Sequence, residues 1–194
     1  FDDARFEIAG TPIFWLPRLR LPDPEQTRAT GFLIPSIRRN SQLATGIKVP
    51  YFIRIGDHRD LTLTPYISAK TRTLEWRYRQ AFVSGRIEFS GAVSRDDLQP
   101  TATRAYIEGT GTFDLPRDFT LDFSLIAVND DAYLTDYTFS DADRLESEVT
   151  VSRVRRDEYI SASLTHFHSL RVSEDNATIP TILTDVSYER RLFP

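Results

Sequence analysis

Cysteine and methionine are both absent from the 194 residues of this chain. Without cysteine, neither a disulfide framework nor a thiolate metal site can form within it. The chain also lacks the run of roughly 18 to 20 apolar residues that a transmembrane helix needs. Positive charge is not in excess, because 24 Lys and Arg stand against 28 Asp and Glu, a formal net charge of -4. This scattered and slightly acidic distribution argues against a nucleic-acid partner.

Apolar and polar residues alternate along most of the chain. All the odd positions of 47–55 are apolar, and an alternating pattern repeats in 61–69, 74–79, 86–93 and 119–125. A period of two is typical of strands with one apolar and one polar face. The pattern predicts about ten strands of roughly 8 to 11 residues, near the length that crosses a bilayer at a tilt, and no helix.

The connections between these strands are of two kinds. Short polar segments at 56–60, 94–97, 115–118 and 155–158 suit hairpin turns. Two longer polar stretches, 129–144 and 169–177, interrupt the later part of the chain. Short connections that alternate with longer ones are typical of a meander whose two rims differ, as in membrane barrels. The predicted fold class is therefore all-β, an antiparallel up-and-down meander.

Two arrangements of the strand faces are compatible with the alternation. A soluble antiparallel sandwich would bury the apolar faces and expose the charged ones. A membrane barrel would turn the apolar faces to lipid and the charged faces to a wet lumen. The aromatic content of 12% favours the barrel, since several aromatic residues stand near strand ends where an interfacial girdle would lie. These residues are Tyr51, Phe52, Trp76, Tyr78, Tyr106, Tyr133 and Tyr137.

The first thirty residues follow another pattern. Prolines stand at 12, 17, 22 and 24, and the apolar cluster Ile13 to Leu16 is compact rather than alternating. We interpret residues 1–28 as the last strand of a preceding domain and an extended linker, and 29–194 as the meander. Because the chain opens on Phe1 without a basic and apolar leader, it is expected to be a mature or excised segment of something longer.

Five short motifs in the first 79 residues resemble the LptD family of lipopolysaccharide-assembly proteins. They occur in the family's order and with compatible spacings, and DDAYLTDY at 130–137 resembles a further family segment. One departure is Arg38-Arg39-Asn40, where smaller residues are usual, so the geometry of the first hairpin is left open. The five motifs are PIFWLPR at 12–18, RATGFLIP at 28–35, PYFIRI at 50–55, DLTLTP at 60–65 and EWRY at 75–78.

The resemblance implies a two-domain protein of the Gram-negative outer membrane. Residues 1–28 would end a periplasmic β-jellyroll, and 29–194 would begin a transmembrane β-barrel of about 26 strands. The barrel would transport lipopolysaccharide and insert it into the outer leaflet through a lateral gate between its first and last strands. The implied partners are lipopolysaccharide itself, an LptE-like lipoprotein that plugs the barrel, and an LptA-like periplasmic bridge that meets the jellyroll.

The family's two gate prolines fall on Pro35 and Pro50. Proline has no backbone N–H, so each one removes a donor from the ladder and lowers the barrier to opening a seam. The alternative interpretation is that these prolines mark only an edge strand or a bulge.

Six basic residues are candidates for lumen contacts with the phosphates and acidic sugars of lipopolysaccharide. They could equally be ordinary solvated residues, balanced by Glu75 and Glu88. Phe14, Trp15 and Leu16 are candidates for an acyl-chain path in the jellyroll, or plain core. The six basic candidates are Lys48, Arg54, Lys70, Arg77, Arg79 and Arg86.

Support for an enzyme is poor. His166 and His168 would share one face of a strand, which could suit a metal, but no nearby carboxylate completes a ligand set. Asp57-His58 is the one candidate for a catalytic pair, and the chain contains no nucleophile elbow, P-loop or HExxH motif. We therefore predict no catalytic residues, no metal and no cofactor. A soluble sandwich that binds a partner remains the main alternative function, ahead of a barrel enzyme.

Overall fold

The computed structural model describes residues 2–8, 11–18, 29–178 and 182–192. Strands dominate these ranges, as the alternation predicts, and they form a two-stranded and a twelve-stranded sheet. The strands are Asp2–Ile8 (β1), Thr11–Arg18 (β2), Gly31–Phe32 (β3), Ser36–Asn40 (β4), Ala44–Lys48 (β5), Tyr51–Arg54 (β6), Arg59–Ser68 (β7), Thr71–Phe82 (β8), Gly85–Asp96 (β9), Arg104–Leu115 (β10), Phe119–Val128 (β11), Arg144–Val154 (β12), Glu158–Ser169 (β13) and Ile182–Arg190 (β14).

The large sheet is an antiparallel meander. Its order runs from β14 back through β7 to β5 and β4, so nearly every strand pairs with its neighbours in sequence. β3 continues β4 and β6 continues β5, because β3 pairs with β6 and β6 pairs with β7. The twelve segments therefore amount to twelve minus two, or ten, rows. The prediction of an all-β antiparallel meander of about ten strands is confirmed.

Helix is almost absent from the described ranges. One turn of α-helix, α1, spans Tyr133–Asp136 inside the longest connection, and one 3-10 turn spans Pro116–Asp118. The prediction of no helix was wrong for this single turn. No helix in the described part of the chain is long and apolar enough to cross a membrane.

The connections divide between two edges of the sheet. One edge, the short rim, carries the segments 55–58, 83–84, 116–118 and 155–157. The opposite edge, the long rim, carries the segments 41–43, 69–70, 97–103, 129–143 and 170–178. The two long polar stretches that the sequence singles out both lie on the long rim, so the two rims differ as predicted.

The two faces of the large sheet differ in burial in the opposite sense to a soluble protein: apolar side chains are exposed on one face, and polar side chains are buried on the other. Residues directly opposite one another in an antiparallel pair share a face, so the register assigns each side chain. One face, called the apolar face, exposes large side chains such as Ile67, Leu74, Val93, Ile107 and Leu125. A soluble sandwich would cover such a face. The other, called the polar face, has these buried polar residues: Asp60, Thr62, Thr71, Thr73, Ser94, Asp96 and Arg104.

Aromatic rings cover glycines on the apolar face. Gly109 lies directly opposite Phe89, and a Cβ on this glycine would come within 2.3 Å of the ring. A Cβ on Gly111 would meet the ring of Phe123, also its direct partner, at 2.3 Å. Such cross-strand pairs hold neighbouring strands in register because the ring occupies the space that a side chain would fill. The four ring–glycine pairs are Trp76–Gly91, Phe89–Gly109, Phe113–Gly85 and Phe123–Gly111.

Candidate functional site

The first two rows of the large sheet are both interrupted at a proline. Pro35 lies in the gap between β3 and β4, and Pro50 lies in the gap between β5 and β6. The pairings on either side are Phe32 with Tyr51 and Ser36 with Lys48, so residues 33–35 stand opposite residues 49–50. Three residues against two is a β-bulge, which disrupts the ladder locally and bends the strand. The structure thus brings Pro35 and Pro50 together at one weak point of an edge hairpin.

A third proline extends this weak point into the next strand. The backbone N of Leu33 donates to the carbonyl of Pro50 at 2.9 Å, and the backbone N of Val49 donates to the carbonyl of Pro65 at 3.1 Å. Neither proline can return a hydrogen bond to its partner strand, because proline lacks the donor. Pro65 was missed as a candidate, although the equal spacing of Pro35, Pro50 and Pro65, fifteen residues each, signals their alignment.

Of the six basic candidates, Arg79 and Arg86 meet in one cleft on the polar face. The cleft has a volume of about 730 Å³ and its lining includes His58, Asp60 and Glu88. Asp122 and Glu148 line it as well, so both signs of charge face the same space.

The other basic candidates are distributed elsewhere. Lys48 forms an ion pair with Glu75 at 2.5 Å, and Arg54 pairs with Asp57 in the β6–β7 turn. Lys70 lies exposed in the turn after β7, and Arg77 is exposed on the polar face opposite Ser90. Arg79 itself is held by Asp60 at 3.0 Å.

The strongest polar cluster surrounds a residue that sequence reasoning missed. Arg104 is 1% exposed and its guanidinium contacts Asp130 at 2.6 Å, Asp136 at 2.7 Å and Asp96 at 3.4 Å. Burial opposes the charge on Asp130, but the hydrogen bonds from Arg104 and Gln99 outweigh it and hold the pKa of Asp130 below its ordinary value. Arg104 therefore ties two aspartates of the β11–β12 connection to the sheet.

The β11–β12 connection, residues 129–143 and called here the inserted loop, packs on the polar face. The Tyr133 hydroxyl lies 2.5 Å from Ser94 Oγ, and the Tyr137 hydroxyl donates to Asp96 at 2.7 Å. Phe139 stacks on Tyr137 with ring centroids 5.5 Å apart. Burial raises the pKa of Tyr133, so this hydroxyl stays protonated at physiological pH. The aromatic residues of DDAYLTDY were thus a signal of burial within a polar stretch.

The histidine candidates do not assemble a metal site. His168 Nε2 lies 3.2 Å from Asp131, and Asp57 is paired with Arg54. Within the ranges that the structure describes, no group of three or more His, Cys, Asp or Glu could hold a metal ion.

The proposed acyl-chain residues lie on β2, at the start of the chain. Phe14 pairs with Phe6 and Trp15 pairs with Arg5 across the β1–β2 hairpin. The side chains of Phe14, Trp15 and Leu16 lie outside the described part of the structure.

A pH-sensitive cluster lies in the β13–β14 connection on the long rim. Hydrogen bonds from Ser169, Arg144 and Arg171 lower the pKa of Glu174 from an ordinary value of 4.5 to about 2. A depressed carboxyl pKa stabilises the fold above the ordinary value, and this contribution disappears as the pH falls through the lowered one. We expect pepsin to cut within 170–178 increasingly as the pH falls from 4.5 to 2. Because the activity of pepsin also changes with pH, the parent is compared with Glu174→Gln at each pH: the parent should be cut more slowly than the variant at pH 4.5 and at the same rate at pH 2. Equal cleavage of the two at pH 4.5 would contradict the assignment.

Comparison with known proteins finds one family. A family model described as "LptD: LPS transport system D" matches residues 102–193. An LPS-assembly protein LptD of Pectobacterium atrosepticum is 30% identical over 146 residues, which cover 69% of this chain and 18% of that protein. The same-named proteins of Photobacterium profundum and Idiomarina loihiensis are 38% and 26% identical, over 44% and 75% of this chain and 11% and 20% of their own lengths. The chain spans about a fifth or less of the curated relatives it matches.

Proposed function

Because the chain belongs to the LptD family, we propose that it forms the opening strands of an outer-membrane barrel that assembles lipopolysaccharide at the surface of a Gram-negative cell. The observation that carries this proposal is the reversal of the two sheet faces. Large apolar side chains are exposed on one face, while buried polar side chains lie on the other. In a membrane barrel, lipid would contact the apolar face and a wet lumen would contact the polar face.

The strands and rims fit a membrane barrel. β8, β9 and β10 have 12 residues each, enough for a tilted strand, which needs about 9 to 11 to cross the bilayer. Outer-membrane barrels have short periplasmic turns and longer external loops, so we assign the short rim to the periplasm. The chain enters the barrel at that rim, where the backbone N of Arg54 donates to Thr30 Oγ1 at 2.9 Å. Residues 1–28 would then lie in the periplasm, as the end of a jellyroll.

The proline-interrupted hairpin is the proposed lateral gate. Each ladder hydrogen bond contributes on the order of 1 kcal/mol net, and more where the alternative environment is lipid. Pro50 and Pro65 withhold donors from neighbouring strands, and the bulge around Pro35 removes further pairing at the sheet edge. A seam bordered by such strands parts at a lower cost than a complete ladder.

The polar face provides the proposed path for the sugar and phosphate portion of lipopolysaccharide. Lys48, Arg54 and Arg79 already have acidic partners. Arg77 and Arg86 have no ion pair among the described residues, and both are exposed on the polar face. We therefore assign phosphate contact first to Arg77 and Arg86, because their guanidinium groups can bind phosphate in a bidentate manner.

Two protein partners complete the proposal. A lipoprotein plug of the LptE type would occupy the lumen beside the polar face. A bridge of the LptA type would deliver lipopolysaccharide to the jellyroll, of which residues 1–28 would be the end. Transport of this kind requires no catalytic residue and no cofactor in this chain.

Restoring the missing donors tests the gate. In the full-length protein, Pro35→Ala combined with Pro50→Ala should slow the appearance of lipopolysaccharide at the cell surface without preventing barrel assembly. The reason is that alanine can supply the ladder hydrogen bonds that proline withholds. The measurement is pulse-labelled lipopolysaccharide at the surface, together with the heat-modifiable migration of the folded barrel.

A matched control is Pro116→Ala, because Pro116 is exposed in the β10–β11 turn, away from the interrupted rows. This variant should deliver lipopolysaccharide at the parental rate. Parental delivery by the double variant would refute the gate.

A further inference from the structure

The first hairpin, β4 and β5, is attached firmly at its turn. Asn40 Nδ2 donates to the carbonyl of Asp136 at 2.9 Å. The Arg38 guanidinium donates to the carbonyl of Tyr137 at 2.5 Å and also contacts the Thr138 hydroxyl. All three partners belong to the inserted loop, which is separated from the hairpin by almost a hundred residues of sequence. The turn end of the hairpin is thus bonded to a different part of the chain.

The turn itself is ordered by its own contacts. Asn40 Oδ1 accepts hydrogen bonds from the backbone N of Gln42 at 2.8 Å and of Leu43 at 3.0 Å. Leu43 is 1% exposed, and its carbonyl accepts a bond from Ser68 Oγ at 2.5 Å. Asn40 therefore orders the turn with its oxygen and binds the inserted loop with its nitrogen.

The inserted loop is a fixed anchor rather than a mobile partner. Arg104 holds Asp130, which precedes helix α1, and Asp136, the last residue of that helix. Tyr133 and Tyr137 are both buried, and their hydroxyls are bonded to the sheet. A hairpin tied to this loop is tied to β9 and β10, far from the sheet edge.

The opposite end of the same edge row has fewer strand pairs. β3 pairs with β6 at Gly31 and Phe32, whereas β4 pairs with β5 at five residues. Leu33 and Thr30 add one hydrogen bond each to the neighbouring row, and the Phe32 ring contacts Tyr51, but none of these contacts reaches the inserted loop. Leu33 is 46% and Ile34 is 82% exposed, in the bulge that separates β3 from β4. The bulge and the two prolines lie between this end and the anchored turn.

We propose that Arg38 and Asn40 are positioning residues that make the turn of the first hairpin a hinge, so that the edge row swings out from the short rim. This inference rests on the proposed gate and adds a direction to its motion. The long-rim end stays attached through the inserted loop, while the Gly31–Pro35 end leaves the sheet. Lipid would then enter the seam from the periplasmic side first.

Hydrogen exchange of the full-length protein in detergent tests this direction. In the parent, peptides that cover 29–36 should exchange faster than those that cover 37–48. Arg38→Ala with Asn40→Ala should accelerate exchange in 37–48 by about tenfold or more, because hydrogen bonds to charged and buried groups are lost. The exchange of peptides from β9 and β10 should be unchanged. When Arg38→Lys replaces Arg38→Ala in the double variant, the lysine keeps a charged donor and should restore part of the protection of 37–48.

Arg39→Ala is the matched control. Arg39 lies between the two positioning residues and is exposed, and its side chain has no hydrogen bond or ion pair in the described part of the chain. This variant should keep the parental exchange pattern.

Three results would overturn the hinge: equal exchange of 29–36 and 37–48 in the parent, unchanged exchange in the double variant, or acceleration that extends to β9 and β10. Each outcome is separable from the gate test. Parental lipopolysaccharide delivery in the proline variant refutes the gate whatever the exchange pattern, while a failed exchange gradient with slowed delivery refutes only the hinge.

Discussion

Replacing Arg104 with leucine should lower the free energy of unfolding by about 3 to 5 kcal/mol, which is the usual cost of removing one partner from a buried ionic cluster. Arg104 is 1% exposed, and the Asp96 carboxylate beside it is buried completely. Leucine fills part of the space but leaves Asp96, Asp130 and Asp136 without their shared cation. Three carboxylates then face one another in a poorly solvated space, where an unpaired charge is costly.

The inserted loop should respond before the rest of the sheet. Its aspartates would lose their tie to β10, so Tyr133 and Tyr137 would become accessible to solvent and to proteases. Chemical unfolding of the full-length protein in lipid vesicles measures the stability change, and limited proteolysis within 129–143 measures the release of the loop.

Arg95→Leu is the matched control for this prediction. Arg95 is exposed on the neighbouring strand β9, and its side chain contacts only Thr103, at 3.3 Å, among the described hydrogen bonds. Its replacement should change stability by about 0.5 kcal/mol or less, as surface substitutions usually do. If Arg104→Leu were equally mild, the cluster would not be what fixes the loop.

Gly109→Val should destabilise the sheet by about 1 to 3 kcal/mol, the range found for overpacking a well-packed site. A Cβ at this position would lie 2.3 Å from Cε1 and 2.4 Å from Cδ1 of Phe89. The ring lies directly across from Gly109 on β9, so it can leave only by giving up its contact with β10. β-branched residues are otherwise favourable in strands, and a loss of stability here therefore reports the ring contact.

A double-mutant cycle isolates this contact. In a Phe89→Ala background the valine has room, so Gly109→Val should be nearly neutral or favourable there. Gly31→Val is the control, because a Cβ on Gly31 meets no atom within 4 Å. Unfolding in lipid vesicles supplies the four stabilities, and additive effects of the two substitutions would contradict direct ring–glycine contact.

Most strands and turns could be predicted because their causes are local. The hairpin turn predicted at 94–97 was wrong, because Ser94 to Asp96 belong to β9 and the connection is 97–103. Period-two alternation identifies a strand whichever partner it has, and polar turn residues end it, so the ten rows and the two long connections were correctly predicted. Which face meets lipid is not a local property, since alternation alone is the same in a sandwich and in a barrel. Burial of Arg104 and exposure of Ile67 distinguish the two faces only once the strands are assembled.

The features that could not be predicted from the sequence depend on contacts between residues that are distant along the chain. Glu75 was named as a balancing charge for the six basic candidates, but its specific pairing with Lys48 depends on the register of three rows, which a single sequence does not specify. The helical turn Tyr133–Asp136 depends on Arg104 and Ser94, residues of two earlier strands. Arg38 and Asn40 were noted only as a departure from the family pattern, because their partners lie almost a hundred residues away. The roles of Pro35 and Pro50 in gating remain predictions.

The ring–glycine pairs and the prolines occupy different parts of the same sheet. The four pairs connect β8, β9, β10 and β11, while the interruptions affect β3 to β7. The sheet is therefore expected to be stiffer across β8 to β11 than across β3 to β7. A sideways force on the edge row would bend β3 to β7 and leave β8 to β11 little changed. In the proposed barrel, the lumen beside β8 to β11 would keep its shape while the proposed seam deformed.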